Sequence, residues 1–484
     1  MRATTSPRSI VPRATYRFQF NEHFRLADAL ALVPYLSDLG ISHVYASPLF
    51  QATAHSVHGY DVCDYSRLNP EIGTETDLEK LVGALHARGM GLVVDIVPNH
   101  MGVAEPIQNG WWWDVLKNGR DSRFADHFDI NWEPTDGERS PVGVQASACP
   151  SGTLKRELQR ASSLHGKVLL PVLGDTLERV MERGELKLAE AFEPAILAET
   201  GKPALPVPVL RYFEHVFPIA PESSPHLTEL IRQQHYVLAP WWEEHERLNY
   251  RRFFAVGTLA AVRQEDQRVF DEAHSTLRRW VARGWIDGLR VDHPDGLRLP
   301  KEYLERLRAL APKAWITVEK ILQPKESVPE DWPVDGTVGY DFLNQANGLF
   351  IDQQSERALT DFYAEFTGEP TDACRSVQEK KRLVLQTLFA TEVNRLVGLI
   401  AQIAAHRDEA KEPRYEMRGT GGTAVAEPSR VAHHATRYTA FTREQWREAL
   451  IEFAASFPVY RTYVRPADDY ISETDFVYIK EAAA

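Results

Sequence analysis

A chain of 484 residues, 43% hydrophobic and 25% charged, has room for two or three domains and a large buried core. Its 55 basic and 68 acidic residues leave a net charge of −13, which argues against nucleic acid or an anionic membrane as partner and suits a neutral substrate. Three scattered cysteines (Cys63, Cys149, Cys374) make neither a disulfide framework nor a zinc site, no run of about 18 apolar residues occurs, and Met1–Arg13 lacks the apolar segment of a secretory signal, so a reducing, cytoplasmic setting is expected.

The first predicted strand is Ala14–Phe20, with Tyr16, Phe18 and Phe20 on alternate positions. A helix follows on Leu26, Leu30, Val33, Leu36 and Leu39, ended by Gly40. Ile41–Ala46 reads as the second strand. Thr74 caps a second helix, with Asp77 three residues on, and Leu78, Leu81 and Leu85 form its buried stripe up to Gly89. Gly91–Val97 is a third strand, nearly continuous in apolar character, as when both faces are covered. This alternation predicts a parallel sheet or barrel.

The rhythm then breaks until a fourth strand at Ile286–Val291, so the stretch between must hold structure of its own, as a subdomain or large insertion. Ala314–Glu319 and Thr337–Phe342 are further strands. Beyond Asp352 the chain reads as helical, with Leu385, Phe389, Val393, Leu396, Ile400 and Ile403 along one face. His406 to Tyr438 is a polar loop, Thr442 with Gln445 is a capping box, and Thr474–Ala484 opens a last helix. The chain therefore divides at 1–97 (first part of a barrel), 98–285 (insertion), 286–352 (strands with reactive groups) and 353–484 (helical region). No internal repeat is present.

Chemistry gathers where strands end. In Gly288–Gly296 (GLRVDHPDG) a strand stops before a His-Pro-Asp-Gly turn, and Arg290 and Asp292, two apart, point to one side. A guanidinium beside a carboxylate holds it ionised, as a nucleophile requires, although an ion pair that merely ties a loop has the same spelling. Glu319 closes the next strand in WITVEK. Packing around it would favour the protonated form of a general acid, and two carboxylates on neighbouring strand ends can lie roughly 5 Å apart, as in retaining glycosidases. The alternative is a surface Glu–Lys strand end. In Asp95–His100 (DIVPNH), Asn99 and His100 project hydrogen-bonding groups from a third strand end, as a sugar requires, or else form a capped turn with a structural histidine. Trp111–Trp113 fit either a sugar groove or a core, and His433 and His434 are too weak a signal for a metal.

DIVPNH, GLRVDHPDG and the strand ending in Glu319 resemble three of the four signature regions of the α-amylase superfamily (glycoside hydrolase family 13). TYRFQF, YASPLFQATAHSVHGYDV, WWWDVLKNG, NYRRFF, GYDFLN and PVYRTYV narrow the resemblance to the maltooligosyl trehalose synthases, from about Pro12 onward, with an insertion around 407–437. The resemblance implies a (β/α)8-type TIM barrel with a large insertion after strand 3 and a helical segment after strand 6. It implies an isomerase needing no cofactor and no metal, acting on a malto-oligosaccharide or α-1,4-glucan. Its reaction would turn the reducing-end α-1,4 bond into an α,α-1,1 bond by retaining double displacement; a hydrolase or glucosyltransferase of the same superfamily, or a glucan-binding fragment, is the alternative.

On that resemblance Asp292 is the nucleophile and Glu319 the acid and then base. Arg290 orients Asp292, Asp95 and His100 support the site and contact sugar hydroxyls, Tyr60 stacks on the first sugar (or is a core tyrosine), and His293 binds substrate. The fourth signature, a His–Asp–Thr segment with a third carboxylate, does not occur in these 484 residues. The chain is therefore expected to match the N-terminal portion of the family, with late barrel strands absent. It is expected to be weakly active or inactive alone, and open to completion by a C-terminal companion segment.

Overall fold

In a computed structural model, residues 11–133, 164–194, 206–324, 326–369, 371–409, 441–465 and 471–484 are described. They form two compact units, one of Met1–Glu244, Leu248–Lys320 and Val328–Val338, the other of His245–Arg247, Ile321–Ser327 and Gly339–Ala484. Cys149, His433 and His434 lie outside the described residues.

The first unit is organised by six strands: β1 (Thr15–Phe18), β2 (His43–Ala46), β3 (Gly91–Ile96), β4 (Gly288–Val291), β5 (Trp315–Val318) and β6 (Gly336–Thr337). They lie side by side in chain order and all pairings are parallel. Helix α1 (Leu26–Asp38) links β1 to β2 and α2 (Glu75–His86) precedes β3. Each buries one apolar stripe: Leu26, Ala29, Val33 and Leu36 on α1, and Leu78, Leu81, Val82 and Leu85 on α2. The expected capping box of α2 is present, Thr74 accepting from the Asp77 N–H. Consecutive parallel strands with helical connections are the start of a TIM-barrel-like arrangement, although no closed barrel forms among the described residues. β3 is buried at all six positions, as a strand covered on both faces must be.

The insertion between β3 and β4 carries sheets of its own. His100–Gly102 pairs with the Val256–Ala261 strand, which pairs in turn with Arg252–Phe253. A parallel pair (Val168–Leu173 with Tyr236–Pro240) and a three-stranded antiparallel sheet complete it. Helix α3 (Gly110–Asn118) holds Trp111, Trp112 and Trp113, all buried. Trp112 meets Phe128 and Tyr250 edge-on, with ring centroids 4.9 and 5.2 Å away. The tryptophan run is core, not a sugar groove.

Two expectations are corrected. The strand expected at Thr337–Phe342 stops at Thr337. Gly339 takes a left-handed φ of 91° and a helix starts at Tyr340, with Asp341 favourably placed in its first turn. The stripe read from Leu385 to Ile403 is also broken, because one helix ends at Gln386 and the next begins at Ala390. There Val393 and Val397 are buried against Ile451, while Leu396 and Ile403 face outward. The Thr442–Gln445 capping box of the Arg443–Ala455 helix is present. No single helix among the described residues is long and apolar enough to cross a membrane.

Candidate active site

The parallel register places Arg290 beside Asp95 on one neighbouring strand and beside Thr317 on the other. The ends of β3, β4 and β5 thus bring Asp95, Arg290, Asp292 and Glu319 together, at the carboxyl edge where such sheets keep their reactive groups. One guanidinium holds three carboxylates. Nη1 of Arg290 donates to Asp95 Oδ1 (2.8 Å) and to Asp292 Oδ1 (2.7 Å), and Nη2 lies 2.9 Å from Glu319 Oε1. Asp292 and Glu319, bound to the two ends of one planar group, therefore share one site, inside the roughly 9.5 Å span of glycosidase carboxylate pairs.

The environment of each acid differs from what the sequence suggested. Asp292 was expected to be held ionised by Arg290. Burial instead pushes its pKa up to about 7, Arg290 opposing and Asp95 and Glu319 adding to the rise. Burial likewise raises Asp95, against Arg290 and the hydroxyls that donate to it. Burial alone would lower Arg290, but Asp95, Tyr45, Asp292 and Glu319 hold it well above its ordinary value, so it stays charged. Glu319 was expected in apolar packing. Its side chain is 22% exposed and accepts the His293 backbone N–H (3.2 Å) as well as facing Arg290.

Asp95 is fully buried, and its oxygens are occupied by Arg290, Tyr60 Oη (2.6 Å) and Tyr45 Oη (3.0 Å). Both of its oxygens thus accept from protein donors. His100 is buried against the Phe253 ring at 4.5 Å, and burial lowers its pKa to about 3, keeping the imidazole neutral. Tyr60 is half-buried, its ring 5.9 Å from the Arg290 guanidinium and its hydroxyl bonded to Asp95. His293 follows Asp292 in a left-handed conformation (φ 42°), its ring 5.0 Å from Phe253 and 4.9 Å from Phe254.

Sequence reasoning missed several neighbours. Tyr45 stands one residue from the end of β2, and its place at a strand terminus was the available signal. Arg17, one residue from the end of β1, donates to Tyr60 Oη (2.9 Å) and lies 5.0 Å over the Tyr45 ring. Arg251, Phe253 and Phe254 come from the insertion, where only tertiary structure reveals their proximity.

A buried carboxylate cluster on one guanidinium thus stands at the carboxyl ends of parallel strands. The model of the α-amylase catalytic domain matches residues 30–149. A putative maltooligosyl trehalose synthase of Mycobacterium tuberculosis is 40% identical over 354 residues, 72% of this chain and 40% of that protein. The structure of maltooligosyltrehalose synthase from Arthrobacter ramosus superposes with a TM-score of 0.73 at 36% identity, covering 98% of this chain and 50% of that one. A hypothetical maltooligosyl trehalose synthase from Sulfolobus tokodaii gives 0.68 at 29%, covering 97% and 51%. The chain is thus similar to the α-amylase catalytic domain over part of its length and to maltooligosyl trehalose synthases over most of it, and it spans about half or less of the length of these relatives.

Proposed function

We propose that this chain carries the nucleophile and the acid–base group of an intramolecular transglucosylation on malto-oligosaccharides, as part of trehalose formation. Asp292 attacks C1 of the penultimate glucose, forming a C1–O ester as the C1–O4 bond breaks, and Glu319 gives its proton to the departing O4. The released glucose stays bound and turns. Its anomeric hydroxyl then attacks C1, its proton passing to Glu319 as the ester breaks, so two inversions yield an α,α-1,1 bond. Arg290 keeps the carboxylates in place, and the half-buried face of Tyr60 is offered to the sugar. The observation that carries this reading is the single Arg290 guanidinium shared by Asp292 and Glu319.

The reading includes completion of the site by further chain, in the same polypeptide or as a companion segment. Support comes from the two ends of the described sheet, β1 and β6, which do not pair with each other, and from relatives about twice as long. A third carboxylate would arrive with that chain. Incubation with 5-fluoro-α-D-glucosyl fluoride tests the core claim, because fluoride leaves C1 without acid help. Intact-mass measurement is expected to show one added fluoroglucosyl group, mapping to Asp292. With maltohexaose, loss of reducing ends without free glucose is expected once the site is complete, and full turnover by the 484-residue chain alone would refute the need for completion.

A further inference from the structure

The segment Arg251–Phe254 belongs to the insertion yet reaches the turns after two sheet strands. Nη1 of Arg251 donates to the Asn99 carboxamide beyond β3 (3.1 Å) and to the Gly296 carbonyl beyond β4 (2.5 Å). Its Nε donates to Asp129 within the insertion (3.0 Å), and its backbone N–H bonds the Asp129 carbonyl (2.9 Å). One planar, always-charged fork thus joins three segments far apart in sequence, a task that a lysine point charge cannot copy.

The turn that Arg251 grips is tightly made. A Cβ on Gly296 would fall on the His293 ring and the Asn99 carboxamide, so only glycine fits there. His293 sits in the left-handed region, which a non-glycine residue keeps only where its surroundings hold it. Those surroundings are the Gly296 N–H bonded to the His293 carbonyl (3.1 Å) and the two phenylalanine rings beside the imidazole. In this conformation the His293 N–H points at Glu319 Oε2. Changing that backbone angle would swing the donor away from the carboxylate.

We propose that Arg251 is a positioning residue: acting through Gly296 and His293, it holds the His293 N–H against Glu319 and so couples the insertion to the catalytic pair. The proposal rests on Glu319 as the acid–base group of the reading above. It assigns the NYRRFF segment a task beyond packing, because its arginine sets the turn and its phenylalanines fix the histidine ring.

The test is Arg251→Ala with added guanidinium ion, at tens of millimolar and well below denaturing levels, with Arg251→Lys alongside. Two readouts are taken: hydrogen exchange of the peptide spanning 292–298, and the rate at which added glucose releases Asp292 after capture by 5-fluoro-α-D-glucosyl fluoride, the step in which Glu319 takes the acceptor's proton. In Arg251→Ala, exchange at 293–296 is expected to speed up by about tenfold and release to slow by about tenfold or more. Both should recover when guanidinium fills the gap, and Arg251→Lys should stay impaired. Unchanged exchange in that peptide would overturn the proposal. So would loosening spread across the whole insertion that guanidinium does not reverse, since that marks a merely structural residue. If the unaltered chain is never captured, the transglucosylation reading fails, while the exchange measurement still decides the role of Arg251.

Discussion

The ends of β3, β4 and β5 and the helices between residues 340 and 367 treat their side chains in opposite ways. At the strand ends charged groups are buried or half-buried and find partners inside the unit, three carboxylates on Arg290 and two tyrosine hydroxyls on Asp95. In the helices, large apolar groups face outward. Leu349, Phe350 and Phe366 are 84%, 89% and 80% exposed, and Leu359, Phe362, Tyr363 and Phe366 form one stripe on the Glu356–Thr367 helix. Nothing among the described residues covers that stripe, whereas the described core of the second unit gathers on Val393, Val397 and Ile451. The contrast teaches that the charges gathered at the strand ends are paired within their own unit, while the 340–367 region has the apolar spacing of a buried helix without a matching cover among the described residues.

The largest expected effect breaks the site half of the comparison. Asp292→Asn removes the nucleophile, and capture by the fluoride donor should fall by about 10⁴-fold or more, read by intact mass over time. Next in size is the core of the insertion. Trp112→Ala opens a large void between Phe128 and Tyr250 and should lower stability by about 3–5 kcal/mol, read from urea unfolding of the full chain. A loss below about 1 kcal/mol would mean that the insertion is not packed as described.

A smaller effect follows from the burial of Asp292. Its folded pKa is raised to about 7, so the stability associated with its protonated form is present below the ordinary carboxylate range and is lost as pH rises through 7. Asp292→Asn should therefore melt close to the unaltered chain near pH 4 and a few degrees higher at pH 8. Equal melting at pH 8 would show that Arg290 offsets the burial in full. In the same cluster Glu319→Gln removes a charge that raises Asp292, so the pH midpoint for capture by the fluoride donor should move downward.

Much of this was legible in the sequence because strand termini in parallel sheets carry both a period and a function. Gly91–Ile96, Gly288–Val291 and Trp315–Val318 announce themselves by apolar runs, and Asp95, Asp292 and Glu319 by standing where those runs end. The caps at Thr74 and Thr442 were equally local. What escaped depends on tertiary structure. Burial outweighs Arg290 at Asp292, and no local spacing reports burial. Asp95 spends its oxygens on Tyr45 and Tyr60, which arrive from other segments. Arg251 meets Gly296 across 45 residues. The Thr337–Phe342 strand failed on a single feature, the left-handed turn at Gly339 that starts a helix inside the stretch read as extended.

The smallest expected effect sharpens the other half of the comparison. Phe366 is 80% exposed and stacks on Phe362 at 5.9 Å, another exposed ring. Removing it takes little apolar area out of a covered environment, so Phe366→Ala should change urea stability by no more than about 0.5 kcal/mol. The same substitution at Trp112 costs several times more, although both residues are aromatic and both lie on helices. If Phe366→Ala instead destabilised the purified chain by more than about 2 kcal/mol, the stripe would already be covered in solution. Dissociation of a larger species on substitution, followed by light scattering, would then identify the cover as another polypeptide.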